Sequence, residues 1–206
     1  MITKRTFVLG VAASAFLPGL PARAHTPTLD PKFLPQNVRM SGYAPGTIII
    51  DPRNHFLYLQ QGGGQARRYG VGVGKQGFEW RGSERITRKA EWPSWRPTDN
   101  MIRRNPARYA KYANGVPGGP GNPLGSRALY LYKGNRDTMY RIHGTNQPQS
   151  IGQSVSNGCL RMINAHVAHL YERVPLGARI REQVSDPLML ALTGTPLIND
   201  VEDFDA

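Results

Sequence analysis

Short β-branched and aromatic runs, each cut off within a few residues by a turn signal, leave this chain room for hairpins and little else. Thr47-Ile-Ile-Ile50 and Phe56-Leu-Tyr-Leu59 flank Asp51-Pro-Arg-Asn54, a Pro/Asn turn that makes the two runs a hairpin. Gln61-Gly-Gly-Gly-Gln65 turns the chain again into Arg67-Arg-Tyr-Gly-Val-Gly-Val73. The glycines of that third run imply close approach of another backbone. A second hairpin pairs Ala128-Leu-Tyr-Leu-Tyr132 with Thr138-Met-Tyr-Arg-Ile142 across Lys133-Gly-Asn-Arg136, and its second strand ends on His143. Ala178-Arg-Ile-Arg181 is a last short strand.

One helix is expected over Ala165 to Val174, capped by Asn164 and stopped by Pro175. Its apolar face carries Val167, Leu170, Tyr171 and Val174, and His166 and His169 fall off that face as solvated side chains. Neither histidine has the cysteine or clustered carboxylates that would complete a metal site, so no metal and no cofactor is expected. The sum is a mostly β domain with the strand spacing of a sandwich or barrel.

Residues 75–127 read as a long irregular insertion, rich in Trp, Gly and Pro, with Ala107-Arg-Tyr-Ala-Lys-Tyr112 as a helical turn. Trp80, Trp92 and Trp95 all fall here, either in a lid or binding wall or as a plug at the end of the sheet. Residues 1–24 have the form of a secretion signal: Lys4 and Arg5, an apolar stretch from Phe7 to Leu20, then Ala22-Arg-Ala24 as a cleavage site. Residues 25–45 read as an N-terminal arm and 183–206 as an acidic tail. No run approaches the roughly 20 apolar residues of a membrane span, so an exported protein of the periplasm or cell envelope is expected. The formal charge is +12 and everything after Arg181 is acidic or neutral, so the body is more basic than the total suggests and suits a polyanionic partner such as carboxylate-rich cell wall. Nucleic acid fits neither the compartment nor any recognition module.

The chain has one cysteine, Cys159, in Val155-Ser-Asn-Gly-Cys-Leu-Arg-Met162, sixteen residues after His143 in Tyr140-Arg-Ile-His-Gly-Thr-Asn146. An exported protein cannot use a lone thiol for an internal disulfide, and its polar, glycine-rich loop suits a nucleophile. A thiol attacks a carbonyl only as thiolate, so it needs a base or a positive field near neutral pH. His143 at a strand end can supply the base, oriented by a backbone carbonyl such as that of Gly144. Gly158 lets backbone N–H groups converge on a developing oxyanion. Ser156 is read as a hydrogen-bonder of the loop, and Arg161 as either a substrate anchor or a brace on loop carbonyls. The chemistry implied is acyl transfer through a thioester.

Ile142-His-Gly-Thr145, Ser150-Ile-Gly152 and Ser156-Asn-Gly-Cys-Leu-Arg-Met162 resemble the signature of the L,D-transpeptidase catalytic domain, the YkuD-type family of bacterial cell-wall enzymes that includes ErfK and YbiS. The resemblance covers 46–182 and implies a β-sandwich with Cys159 as nucleophile and His143 as general base. It also implies backbone donors around Gly158 and Cys159 as the oxyanion hole. Many members carry a histidine directly before the Gly-Cys pair; here that position is Asn157, which can only donate or accept a hydrogen bond. By the same resemblance the donor is a peptidoglycan stem tetrapeptide. Cys159 would attack its third-residue carbonyl and expel D-alanine. The thioester would pass to a neighbouring stem, a free D-amino acid, or the amino group of an outer-membrane protein or lipoprotein. Water as acceptor would make the protein a carboxypeptidase. Two rivals stand beside these: a sortase-like or papain-like thiol enzyme, disfavoured by the Asn-Gly-Cys pattern, and a peptidoglycan-binding module without turnover, with Asn157 as the lesion.

Overall fold

The turn signals join strands into one large sheet that closes on itself. A computed structural model of the chain describes residues 29–78 and 80–182, so the secretion signal and the acidic tail lie outside the described residues. The first expected hairpin is β2 (Ile48–Asp51) and β3 (Phe56–Gly62), followed by β4 (Gln65–Gly70). The second is β7 (Arg127–Lys133) and β8 (Arg136–His143). The last strand is β11 (Arg179–Glu182). Short strands β5 (Val73–Gly74) and β9 (Ser154–Ser156) pair with each other, and β10 (Leu160–Arg161) lies parallel to β8.

Two further strands come from segments whose sequence shows little β pattern. Residues 75–127 are not one insertion, because β6 (Ser83–Glu91) crosses the middle of the sheet between β11 and β7. The N-terminal arm likewise supplies β1 (Gln36–Arg39), paired with β4 at the sheet edge. Phe33 of the arm is buried against Gly70 and Gly152, where an added Cβ would lie 2.4 Å and 2.3 Å from Phe33 atoms. The sheet order is β1-β4-β3-β2-β11-β6-β7-β8-β10.

The chain leaving β4 meets the far edge strand β10 through Gly72 and Arg161, whose amides and carbonyls exchange hydrogen bonds of 2.9 and 2.8 Å. Gly72 is there because a side chain would strike the Ser150 carbonyl at 2.4 Å, the close backbone approach implied by the glycines of this run. Closure folds the two halves into a β-sandwich around one apolar cluster, with Ile48, Leu57 and Tyr69 from one half and Leu129, Ile142 and Leu160 from the other.

Helix α3 (Asn164–Arg173) packs on β7 and β8 through buried Val167 and Leu170, each contributing roughly 1.5–3 kcal/mol by burial. Lys89 Nζ donates to the Tyr171 and Val174 carbonyls at its C-terminal end, where cations are favoured. Its start differs from expectation. Ile163 occupies the cap position with no side-chain bond, and the Asn164 side chain reaches elsewhere. The two helix histidines are not solvated either: His166 is buried, and His169 Nδ1 lies 2.6 Å from the Tyr69 hydroxyl. Among the described residues no helix is long and apolar enough to cross a membrane.

Candidate active site

Strands β8 and β10 run parallel, with Leu160 opposite Ile142 and Arg161 opposite His143. Side chains alternate along a strand, so Ile142 and Leu160 enter the core while His143 and Arg161 share the other face. Arg141 and Cys159 stand two residues earlier on the same face, and all four line one cleft of about 1110 Å³.

His143 is buried, and its Nδ1 lies 2.5 Å from the Gly144 carbonyl. A carbonyl only accepts, so Nδ1 carries the proton and Nε2 keeps its lone pair. This is the backbone orienter expected for an imidazole with no acidic neighbour. Burial pulls the ring's pKa down to about 4; the Gly144 carbonyl opposes this, and the charges of Arg161 and Arg141 push it lower. The imidazole is therefore neutral at neutral pH.

Cys159 is partly exposed, and its thiol points at the Met139 carbonyl, 3.9 Å away. Burial raises its pKa above the ordinary thiol value, opposed by the Arg141 guanidinium and amide and by Arg161. The resting pair is thus a neutral thiol with a neutral imidazole rather than a preformed thiolate.

A bulge in β8 shapes this corner: Tyr132 pairs with Asp137 and Tyr130 with Arg141, leaving three residues opposite Leu131. Met139 at its apex has a left-handed φ of 65° and donates its amide to Asp137 Oδ1 at 2.8 Å. Asp137 also grips Arg141 bidentately at 2.7 and 2.9 Å, which fixes that cation beside the sulfur.

The cysteine loop is tied internally. Ser156 Oγ accepts the Gly158 amide at 3.0 Å and donates to the Cys159 carbonyl at 2.6 Å, the loop role expected of it. The first of these bonds engages the Gly158 N–H within the loop. Gly158 itself is required twice: its φ is +117°, and a Cβ would sit 2.4 Å from the Tyr140 ring. Asn157 is exposed and donates to the Tyr109 hydroxyl at 3.1 Å. Arg161 does not brace loop carbonyls with its side chain, which donates to Gln147 Oε1 at 3.2 Å.

Asn164 was legible only as a helix cap. Its Oδ1 accepts the amides of Ser126 and Thr145, both at 3.1 Å, pinning the segment that follows His143. Gly144 has no room for a side chain there, because a Cβ would lie 2.2 Å from that oxygen.

The opposite wall comes from the irregular segment. Helix α1 (Asp99–Arg104) is capped by Thr98, and α2 (Pro106–Tyr109) by Asn105. Trp95 lines the cleft edge-on to Tyr112, with centroids 5.6 Å apart. The tryptophans divide between the two expected roles and a third: Trp80 lies in the core, Trp95 is in the wall, and Trp92 is exposed. Among the described residues no cluster of three or more His, Cys, Asp or Glu could hold a metal ion.

A probable L,D-transpeptidase ErfK/SrfK of Escherichia coli is 31% identical over 173 residues, 82% of this chain and 51% of that protein. The probable L,D-transpeptidase YbiS of E. coli is 33% identical over 140 residues, 66% of this chain and 44% of the other. The chain thus spans about half the length of the curated relatives it matches. A crystal structure from Brucella melitensis, described as a probable carnitine operon oxidoreductase, is 57% identical with TM-score 0.53, covering 77% of this chain and 96% of that one. An Enterococcus faecium L,D-transpeptidase structure, 15% identical with TM-score 0.50 over 66% of this chain and 49% of its own, shares the fold. The model of the L,D-transpeptidase catalytic domain matches residues 45–184, and the chain belongs to that family, YkuD.

Proposed function

We propose that this protein is an exported peptidoglycan L,D-transpeptidase with Cys159 as nucleophile and His143 as general base. The observation that carries this is the tautomer: Nδ1–H is held by the Gly144 carbonyl, so Nε2 is the free acceptor in the cleft that Cys159 also lines. As the sulfur approaches the carbonyl of the third stem residue, the thiol proton passes to Nε2 and the C–S bond forms. The oxyanion meets the Cys159 amide in the field of Arg141 and Arg161. Collapse breaks the amide bond, and imidazolium returns the proton to the departing D-alanine. An acceptor amine then attacks the thioester, giving up a proton to Nε2 and restoring the thiol. The amine belongs to a neighbouring stem, a D-amino acid or an envelope protein, and water in its place makes the same site a carboxypeptidase.

The oxidoreductase description belongs to the Brucella protein, and the one cysteine of this chain cannot form an internal disulfide. The test is D-alanine release from a tetrapeptide stem by the wild-type protein and by Cys159→Ala. Loss of release with an unchanged circular dichroism spectrum supports the reading. Undiminished release by the variant ends it, and tight stem binding without release by the wild-type protein supports a binding module instead.

A further inference from the structure

Seven arginines and one lysine line the cleft against a single carboxylate, Asp99. Asp99 is already engaged by Arg96 at 2.8 Å, and Arg141 by Asp137. Two cations of the cleft have no carboxylate partner among the described residues: Arg161 on β10 and Arg108 on α2. Arg161 is partly buried and two positions beyond Cys159, and its one side-chain hydrogen bond among the described residues goes to the neutral amide of Gln147. Arg108 lies close enough that its charge, after burial itself, pulls the Arg161 pKa down. Like charges held together in a partly dry cleft cost free energy that an anion between them would recover. A guanidinium fork with one neutral partner retains donors that match a carboxylate.

We propose that Arg161, faced by Arg108 from α2, receives the terminal carboxylate of the acyl donor beside the scissile amide, so that the cleft selects donors by that carboxylate. This rests on the reading of Cys159 as the acyl-transfer nucleophile, and it adds a specificity determinant to it. The competing role for Arg161 is service to the sulfur alone, which would treat all donors alike.

The experiment separates these. Cys159→Ala protein is titrated calorimetrically with a stem tetrapeptide and with its C-terminal carboxamide. The free acid binds about ten- to a hundredfold tighter, as expected for loss of a charged hydrogen bond in the amide. Adding Arg161→Gln removes most of this preference, Arg161→Lys keeps part of it, and Arg108→Gln, at an exposed position, reduces it. Equal affinity for acid and amide overturns the proposal, as does an Arg161→Gln change that weakens both ligands equally. In protein retaining Cys159, the pH profile of thiol alkylation is also read. A shift on Arg161→Gln with the carboxylate preference intact assigns Arg161 to the sulfur and overturns the proposal. Carboxylate preference without D-alanine release by the wild-type protein leaves the recognition standing and sinks the acyl-transfer function.

Discussion

Replacing Gly158 by alanine tests whether the glycine before Cys159 is a geometric necessity. Two costs are built into the position. The φ of +117° is one that L side chains rarely adopt, costing about 1–2 kcal/mol. The new Cβ would lie 2.4 Å from Tyr140 Cε1 and 3.1 Å from the Phe78 carbonyl, and the Tyr140 ring packs against the core and must swing away from it. Overpacking of that kind costs roughly 1–3 kcal/mol. The sum, about 2–5 kcal/mol, corresponds to a loss of roughly 5–15 °C in Tm for a domain of this size. Gly46→Ala is the control, because its φ is +80° with nothing within 4 Å of the added carbon, so only the backbone cost applies. Thermal unfolding by calorimetry reads both variants, and D-alanine release below the transition reads the displaced cysteine. If the two variants lose the same Tm, the crowding against Tyr140 is not real and the argument for a tightly seated cysteine loop fails.

The neutral, buried states of His143 and His166 make stability fall on the acid side. Both have a pKa pulled to about 4 by burial, against an ordinary 6.5. The unfolded chain therefore takes up protons first as pH drops through 6.5, and stability is lost until the folded pKa near 4 is passed, by roughly 3 kcal/mol per histidine. Urea unfolding at pH 7 and pH 4.5 measures this, and equal stability at the two would contradict it. Asn164→Ala strips the acceptor from the buried amides of Ser126 and Thr145 and is expected to cost about 2–4 kcal/mol. It should also lower kcat more than it raises KM, because the freed segment carries the carbonyl that orients His143; unchanged kcat would limit Asn164 to a structural part.

Hairpins were legible because both strands of each carried the pattern, as with Thr47-Ile-Ile-Ile50 facing Phe56-Leu-Tyr-Leu59. Strand β6 was not, since Ser-Glu-Arg-Ile-Thr-Arg-Lys-Ala-Glu buries only Ile86 and becomes a strand through its neighbours β7 and β11. The same holds for β1, whose one fully buried side chain is Val38. His166 and His169 were misplaced because Tyr69 and the adjoining sheet meet a helix face that local periodicity assigns to solvent. Asn164 was misread because an asparagine at a helix start usually caps it, and only the fold shows Ser126 and Thr145 within its reach.

Sequence alone determined the chemistry-bearing types and their order: one thiol, one histidine at a strand end, and a glycine between Ser156-Asn157 and Cys159. These are short-range properties, carried by residue identity and turn preference. Only the tertiary structure decided the protonation state of the pair, the engagement of the Gly158 amide by Ser156, and the basic wall of α1 and α2 along the cleft that Cys159 lines. Each of those depends on which groups lie within a few ångströms across the closed sheet, and such proximity comes from packing between segments far apart in the chain.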